Sequence, residues 1–202
     1  MPQTEPSPRR RRGRRPADEV RTEVLDATTR VLLDEGITAV TFERIARESG
    51  ASKTTLYKWW PSPGVLAAEA YVAHSGPVLE FPRTGDLRAD LIAQVSAFLD
   101  LLTSGRAAHP VAGLIGAAQS DPQLARAWAD SYALPRRELA RDRLRAAQRE
   151  GQLDDEADLD LIVDQIWGAC YHRLLVLQVP LADIDATLLV TTVLRGWGVM
   201  DP

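Results

Sequence analysis

The sequence predicts an all-α protein, and three observations carry that prediction. Apolar residues recur at three- and four-residue spacing in one segment after another. No segment keeps the sustained alternation of a strand, and the breaks between segments fall at glycine, proline or a capping Ser, Thr or Asp. With 202 residues, 45% hydrophobic and 26% charged, the chain can hold one domain or a small domain joined to a larger one. The pattern divides into about nine helices, with no internal repeat.

Residues 18–35 form the first helix. Val20, Val24, Ala27 and Val31 share a stripe that Leu25 and Leu32 widen, and Gly36 ends it. Thr41 then caps a short helix with Glu43 in its first turn and Phe42, Ile45 and Ala46 on its apolar face. Gly50 has the conformational freedom to stop that helix sharply, and Ser52 caps the next. In this last helix Leu56 and Trp60 point to the core. Lys53, Thr54, Thr55, Tyr57, Lys58 and Trp59 are left as a polar, basic and aromatic set. Two short helices, a tight glycine turn and hydrogen-bonding groups at the start of the second describe a helix-turn-helix, with the second helix sized for a DNA major groove.

Thr41, Ile45-Ala46, Gly50-Ala51-Ser52, Thr55-Leu56-Tyr57 and Trp60-Pro61-Ser62, behind a helix ending at Gly36, closely resemble the TetR family of one-component regulators. The resemblance covers about the first third of the chain. It implies an N-terminal three-helix helix-turn-helix DNA-binding domain, a C-terminal helical domain that binds an effector and dimerises, and repression as the mode of control. Family members usually carry lysine and an acidic residue where this chain has Pro63 and Gly64, so one phosphate contact typical of the family is missing here.

The net charge of −4 argues against DNA only until it is divided. Residues 1–60 carry twelve basic against nine acidic side chains, and the remainder twelve against nineteen. A basic front on an acidic body is the asymmetry of a protein that meets phosphate at one end. Residues 1–17 form a Pro- and Arg-rich arm, with Arg9, Arg10, Arg11, Arg12, Arg14 and Arg15 and no apolar residues to bury. The arm is either a solubilising tail or a segment that tracks phosphates and enters the minor groove; its place before a DNA-binding helix favours the second.

Ser62 and Pro63 open a connecting helix to about His74. Gly76, Pro77, Pro82 and Gly85 mark a loop, so the DNA-binding domain is placed at 18–78 and the body at 79–202. The body's helices are expected at 86–104, 111–120, 122–150 with a kink from Pro135, 159–177 and 183–197. The last two have apolar residues on more than one side, which fits a four-helix homodimer interface.

Chemistry finds little support. His74, His109 and His172 have no zinc-like spacing, and Cys170 and His172 point to different helix faces. Cys170 reads as a small core residue. The run Asp154, Asp155, Glu156, Asp158, Asp160 fails an EF-hand pattern, because Leu159 and Gln165 stand where Gly and Glu are needed. No catalytic residue, metal or cofactor is therefore expected. The absence of a ~20-residue apolar run, of a signal peptide and of a second cysteine fits the cytoplasm, with no membrane partner.

An effector pocket is expected among the C-terminal helices, lined by Phe98, Leu102, Leu114, Trp128, Trp167, Tyr171 and His172. Few charged groups fall on these inward faces, which points to a largely apolar ligand. The overall expectation is a dimeric regulator that binds a palindromic DNA operator. In it Thr41, Tyr57, Trp59 and the arm meet phosphates, and Ser52, Lys53, Thr54, Thr55 and Lys58 meet base edges. The alternative is a DNA-binding regulator without a small-molecule switch, its body used only for dimerisation or protein contacts.

Overall fold

The computed structural model describes residues 15–75, 80–103 and 108–199, the side chains of 108 and 109 aside; they are helical, and no strand occurs among them. Helix α1 spans Ala17–Glu35 and buries Val24, Ala27, Thr28, Val31 and Leu32, one face at helical spacing. Gly36, at φ 83°, turns the chain into a short 3-10 turn, Ile37–Ala39. Helices α2 (Phe42–Ser49) and α3 (Lys53–Trp59) follow, then α4 (Pro63–Ser75), capped by Ser62 through the Val65 N–H.

The body contains α5 (Leu87–Thr103), α6 (Ala108–Ala118), α7 (Pro122–Trp128), α8 (Leu134–Arg149), α9 (Leu159–Tyr171) and α10 (Ala186–Gly196). Asp121, Asp158 and Asp185 each accept a backbone N–H at the start of a helix. Asp158 caps α9, and Asp160 pairs with Arg137 and Arg141. None of the described helices is long and apolar enough to cross a membrane.

Where a kink is expected at Pro135, the structure has a π turn just before it. Helices α7 and α8 run on through a π turn, Ala129–Ala133, in which the Leu134 N–H reaches back five residues to the Ala129 carbonyl. Proline has no N–H for the turn before it and crowds its carbonyls, and an inserted residue relieves both. The segment expected as one helix to Leu177 likewise changes to a π turn, His172–Leu177, and Gln178 at φ 53° reverses the chain before Pro180.

One core runs from the front helices into the body. Helix α4 packs against α1 on one side and α6 and α7 on the other. It does so with small residues: Ala67, Ala68 and Ala70 are fully buried, and a Cβ on Gly64 would meet Leu124 Cδ2 at 3.2 Å. An acidic residue at position 64 would require the Leu124 side chain to give way. Gly113 on α6 similarly lies against Ile37, where a Cβ would come to 3.3 Å.

Candidate nucleic-acid interface and ligand pocket

The α2–turn–α3 unit is built by two caps and one left-handed glycine. Thr41 Oγ1 accepts the Arg44 N–H at 3.2 Å, and Ser52 Oγ accepts the Thr55 N–H at 3.1 Å. Gly50 sits at φ 68°, ψ 11°, the conformation that ends α2 without steric cost. Ile45 and Leu56 are fully buried between the helices. Arg44 braces the unit from outside, pairing with Glu35 at 2.6 Å and Glu48 at 2.9 Å and holding the Glu35 carboxyl below its usual range.

The outer face of α3 carries the predicted contact residues unequally. Tyr57 is 61% exposed and braced edge-on by Phe42, with ring centroids 4.7 Å apart. Thr54 and Lys58 are exposed, and Lys58 has no charged partner among the described residues. Lys53 pairs with Glu43 at 2.7 Å, which lowers the Glu43 pKa and partly offsets the lysine charge. Ser52 and Thr55 hold each other, Oγ to Oγ1 at 2.8 Å, so both serve the cap before any ligand. Thr41 is exposed at its cap, and Trp59 is half-buried, edge-on to Trp60.

Arg15 donates to the Gly50 carbonyl at 3.0 Å and pairs with Glu23, so the chain entering α1 starts beside the helix-turn-helix turn. Arg9, Arg10, Arg11, Arg12 and Arg14 lie outside the described residues. Arg47, which the sequence reading passed over, is an exposed cation on α2 one turn after Glu43. Its position opposite the apolar stripe Phe42, Ile45 and Ala46 was the available signal.

The helix after the motif is tied to it by one carboxylate. Glu69 of α4 accepts the Trp60 indole N–H at 2.8 Å and pairs with Arg21 of α1 at 2.6 Å. The Arg21 guanidinium lies 4.9 Å over the Trp60 ring. Trp60, the C-cap of α3, is thus held between α1 and α4.

In the body, α5, α8 and α9 line a chamber of about 390 Å³ that is open on one side. Phe81, Phe98, Tyr132, Trp167 and Tyr171 supply its aromatic wall, with Phe98 and Tyr171 edge-on at 5.6 Å. Leu134 and Leu139, 56% and 40% exposed, also line it. Three expected pocket residues, Phe98, Trp167 and Tyr171, thus share one chamber. Leu102 lines a separate open groove near Pro180, and Leu114 is fully buried core. Trp128 stacks on Tyr132 at 4.4 Å behind the chamber, and His172 is exposed. Burial raises the phenol pKa of Tyr71, Tyr132 and Tyr171. Cys170 is buried core, its thiol pushed up to about 11 by that burial.

Apart from the lining of this chamber, the body buries a charged pair. Asp90 and Arg143 meet in the body at 2.6 Å with 0% and 4% of their side chains exposed. Asp90 also accepts the Thr84 N–H and hydroxyl at 3.0 and 2.6 Å. Its burial favours the neutral acid, yet the bonds from Thr84 and Arg143 outweigh that and leave its pKa below the usual value. Both were legible in principle: Asp90 falls on the stripe of Leu87 and Leu91, and Arg143 on that of Ala140, Leu144 and Ala147.

A capped helix-turn-helix with an exposed Tyr-Lys face, joined by a buried helix to an aromatic-lined helical body, defines a DNA-binding regulator fold. Comparison with known proteins agrees. Residues 24–70 match the model for bacterial regulatory proteins of the tetR family, and residues 81–193 match the tetracyclin repressor-like C-terminal domain. The HTH-type transcriptional regulator YdeS of Bacillus subtilis is 31% identical over 92% of this chain and 93% of its own. The crystal structure of the TetR family transcription regulator SCO0332 superposes with a TM-score of 0.77 at 47% identity, covering 91% of this chain and all of that one. FadR of Bacillus subtilis, solved in complex with stearoyl-CoA, shares the fold at 17% identity and a TM-score of 0.62, over 86% of this chain and 95% of its own. The chain belongs to the TetR family of transcriptional regulators.

Proposed function

We propose that the protein is a homodimeric repressor that reads a palindromic operator through α3 and leaves it when a small, largely apolar effector fills the α5–α8–α9 chamber. The observation that carries the reading is mechanical continuity. Tyr132 lines the chamber and its ring lies 5.6 Å from Tyr71 on α4, and two residues before Tyr71 on that helix Glu69 holds Trp60 and Arg21. An occupant pressing on Tyr132 therefore acts on the helix that positions the reading head. That the fold hosts such ligands is supported by FadR with its stearoyl-CoA and by FrrA, a flavonoid-responsive regulator of the same fold at 22% identity and a TM-score of 0.65.

On α3, Tyr57 meets phosphate and Lys58 and Thr54 reach base edges, lysine suiting guanine and the threonine methyl suiting thymine. Lys53 joins them when it exchanges Glu43 for DNA. Ser52 and Thr55 hold the helix start in place, Thr41 and Trp59 flank the contact, and the arm adds salt-sensitive charge.

Dimerisation uses α9 and α10. Leu161 on α9 and Leu188 on α10 are 43% and 64% exposed, a large apolar outlay for a surface without a partner. The two helices are locked together by the Trp197 indole donating to Gln165 at 2.9 Å. As a regulator the protein has no catalytic task, and it works in the cytoplasm where its operator is.

Binding selection on genomic fragments at moderate salt tests the reading. One recovered palindromic sequence supports it, because operator symmetry mirrors dimer symmetry. Recovery of only sequence-independent, salt-sensitive fragments overturns it.

A further inference from the structure

Beside the aromatic chamber lies a second bay of about 390 Å³, lined in part by Val72, Glu80, Arg83 and Arg143. The two spaces share Phe81, Tyr132, Arg136 and Leu139 as a common wall. Among the bay's lining residues, Arg143 has buried donors without hydrogen bonds. Arg143 spends its Nε on Asp90, yet both terminal nitrogens are buried with no hydrogen bond, and Glu150 stays 3.9 Å from Nη1. The buried hydroxyl of Ser75, on α4 one turn after Val72, also lacks a partner. A guanidinium has donors only, and buried donors left unpaired cost stability, so such a cluster calls for an incoming acceptor. The lining is rich in arginine: Arg83, Arg136 and Arg143 stand in it with Glu80, and Asp90 and Glu150 lie at Arg143.

We propose that the two spaces form one site for an apolar organic anion. Its ring-sized body lies against Phe98, Trp167 and Tyr171, and its carboxylate or other oxyacid group lies at Arg136 and Arg143, against α4. This rests on the effector-pocket reading and adds the ligand's charge and its direction. An anionic oxygen supplies the acceptor that the Arg143 terminal nitrogens lack, and charge-assisted bonds of this kind are the strong ones. The orientation also assigns the signal. The apolar body provides affinity in the α9 end of the site, and the acid group touches the α4 end, from which Glu69 reaches the recognition helix.

A matched pair of fluorescent probes tests this on the full-length protein. 8-Anilino-1-naphthalenesulfonate carries an anionic sulfonate, and N-phenyl-1-naphthylamine has the same rings without it. The expected result is that the sulfonate binds about tenfold or more tightly than the neutral probe, although the neutral probe is the more apolar. Arg136→Gln should erase that preference and leave the neutral probe unchanged. Arg143→Lys, which keeps a cation beside Asp90 but loses the fork, should weaken the sulfonate as well; if it fails to fold, Arg136→Gln decides alone. Gly168→Leu adds a side chain at the exposed edge of the aromatic chamber's lining, where a Cβ meets nothing within 4 Å, and should abolish both probes. Equal binding of the two probes, or sulfonate binding unmoved by Arg136→Gln, overturns the anion site. If Gly168→Leu still abolishes both, the effector chamber survives that result. If both probes bind Gly168→Leu as they bind the wild type, the chamber reading falls and takes the anion site with it.

Discussion

In the reading head the ion pairs sit at the surface. Arg44 with Glu35, Lys53 with Glu43 and Arg15 with Glu23 all keep a quarter or more of each side chain open to solvent, whereas Arg143 and Asp90 in the body are sealed. The head's buried positions are almost wholly apolar, its polar groups spent on caps or turned outward. The body buries a charged pair together with donors that have no acceptor. A surface that must meet a large, charged, solvated partner needs rigid geometry and accessible charge. Under the proposed effector reading, the body's unpaired donors are the groups whose bonding an occupant would complete. The two regions also fail differently under substitution, and that difference can be measured.

The largest stability effect belongs to the body. Asp90→Asn leaves the Arg143 charge uncompensated and should cost about 3 kcal/mol or more in urea unfolding, the scale of a buried pair broken on one side. A loss near that of a surface substitution would erase the contrast between the regions. The same pair predicts acid sensitivity. The folded Asp90 pKa lies below its ordinary value, so its contribution is fully present above about pH 4 and is lost as the pH falls through the folded value. Asp90→Asn should therefore lose less stability on acidification than the wild type.

In the head the effects shrink. Thr41→Ala and Ser52→Ala each remove one cap and should cost about 1 kcal/mol, read as a lowered thermal midpoint with the helical spectrum retained. Arg44→Gln breaks two exposed pairs and should move that midpoint less than either cap variant, since screened surface pairs contribute little. A larger shift from Arg44 than from the caps would mean that the head's charges do structural work.

Much of the head was legible because its determinants are local. Thr41, Gly50 and Ser52 act within four residues of themselves, so sequence spacing alone places α2, the turn and α3. The Ser52–Thr55 pair was not foreseen as a contact that competes with DNA, since it depends on hydroxyl rotamers. The body's elements were legible from periodicity, but its site was assembled by long-range packing. Phe98, Trp167 and Tyr171 share a chamber only because α5 and α9 both pack on α8 and α10, while Trp128 and Leu114, with the same local pattern, fall into core. Arg143 and Asp90 are 53 residues apart, and charge in a sequence reads as solvated until the partner is seen. The π turns at Ala129–Ala133 and His172–Leu177 likewise answer to packing and to Pro135, and they rotate Tyr132 and His172 away from the positions a continuous α-helix assigns.

The most direct test of the central claim, that α3 reads DNA, is the affinity of the selected operator for wild type and for Tyr57→Ala/Lys58→Ala at one fixed salt concentration. The predicted result is a fall of roughly 100-fold or more, to the level of unrelated DNA, with an unchanged dimer by sedimentation. An unchanged operator affinity in the double variant would contradict the assignment of α3 as the reading helix.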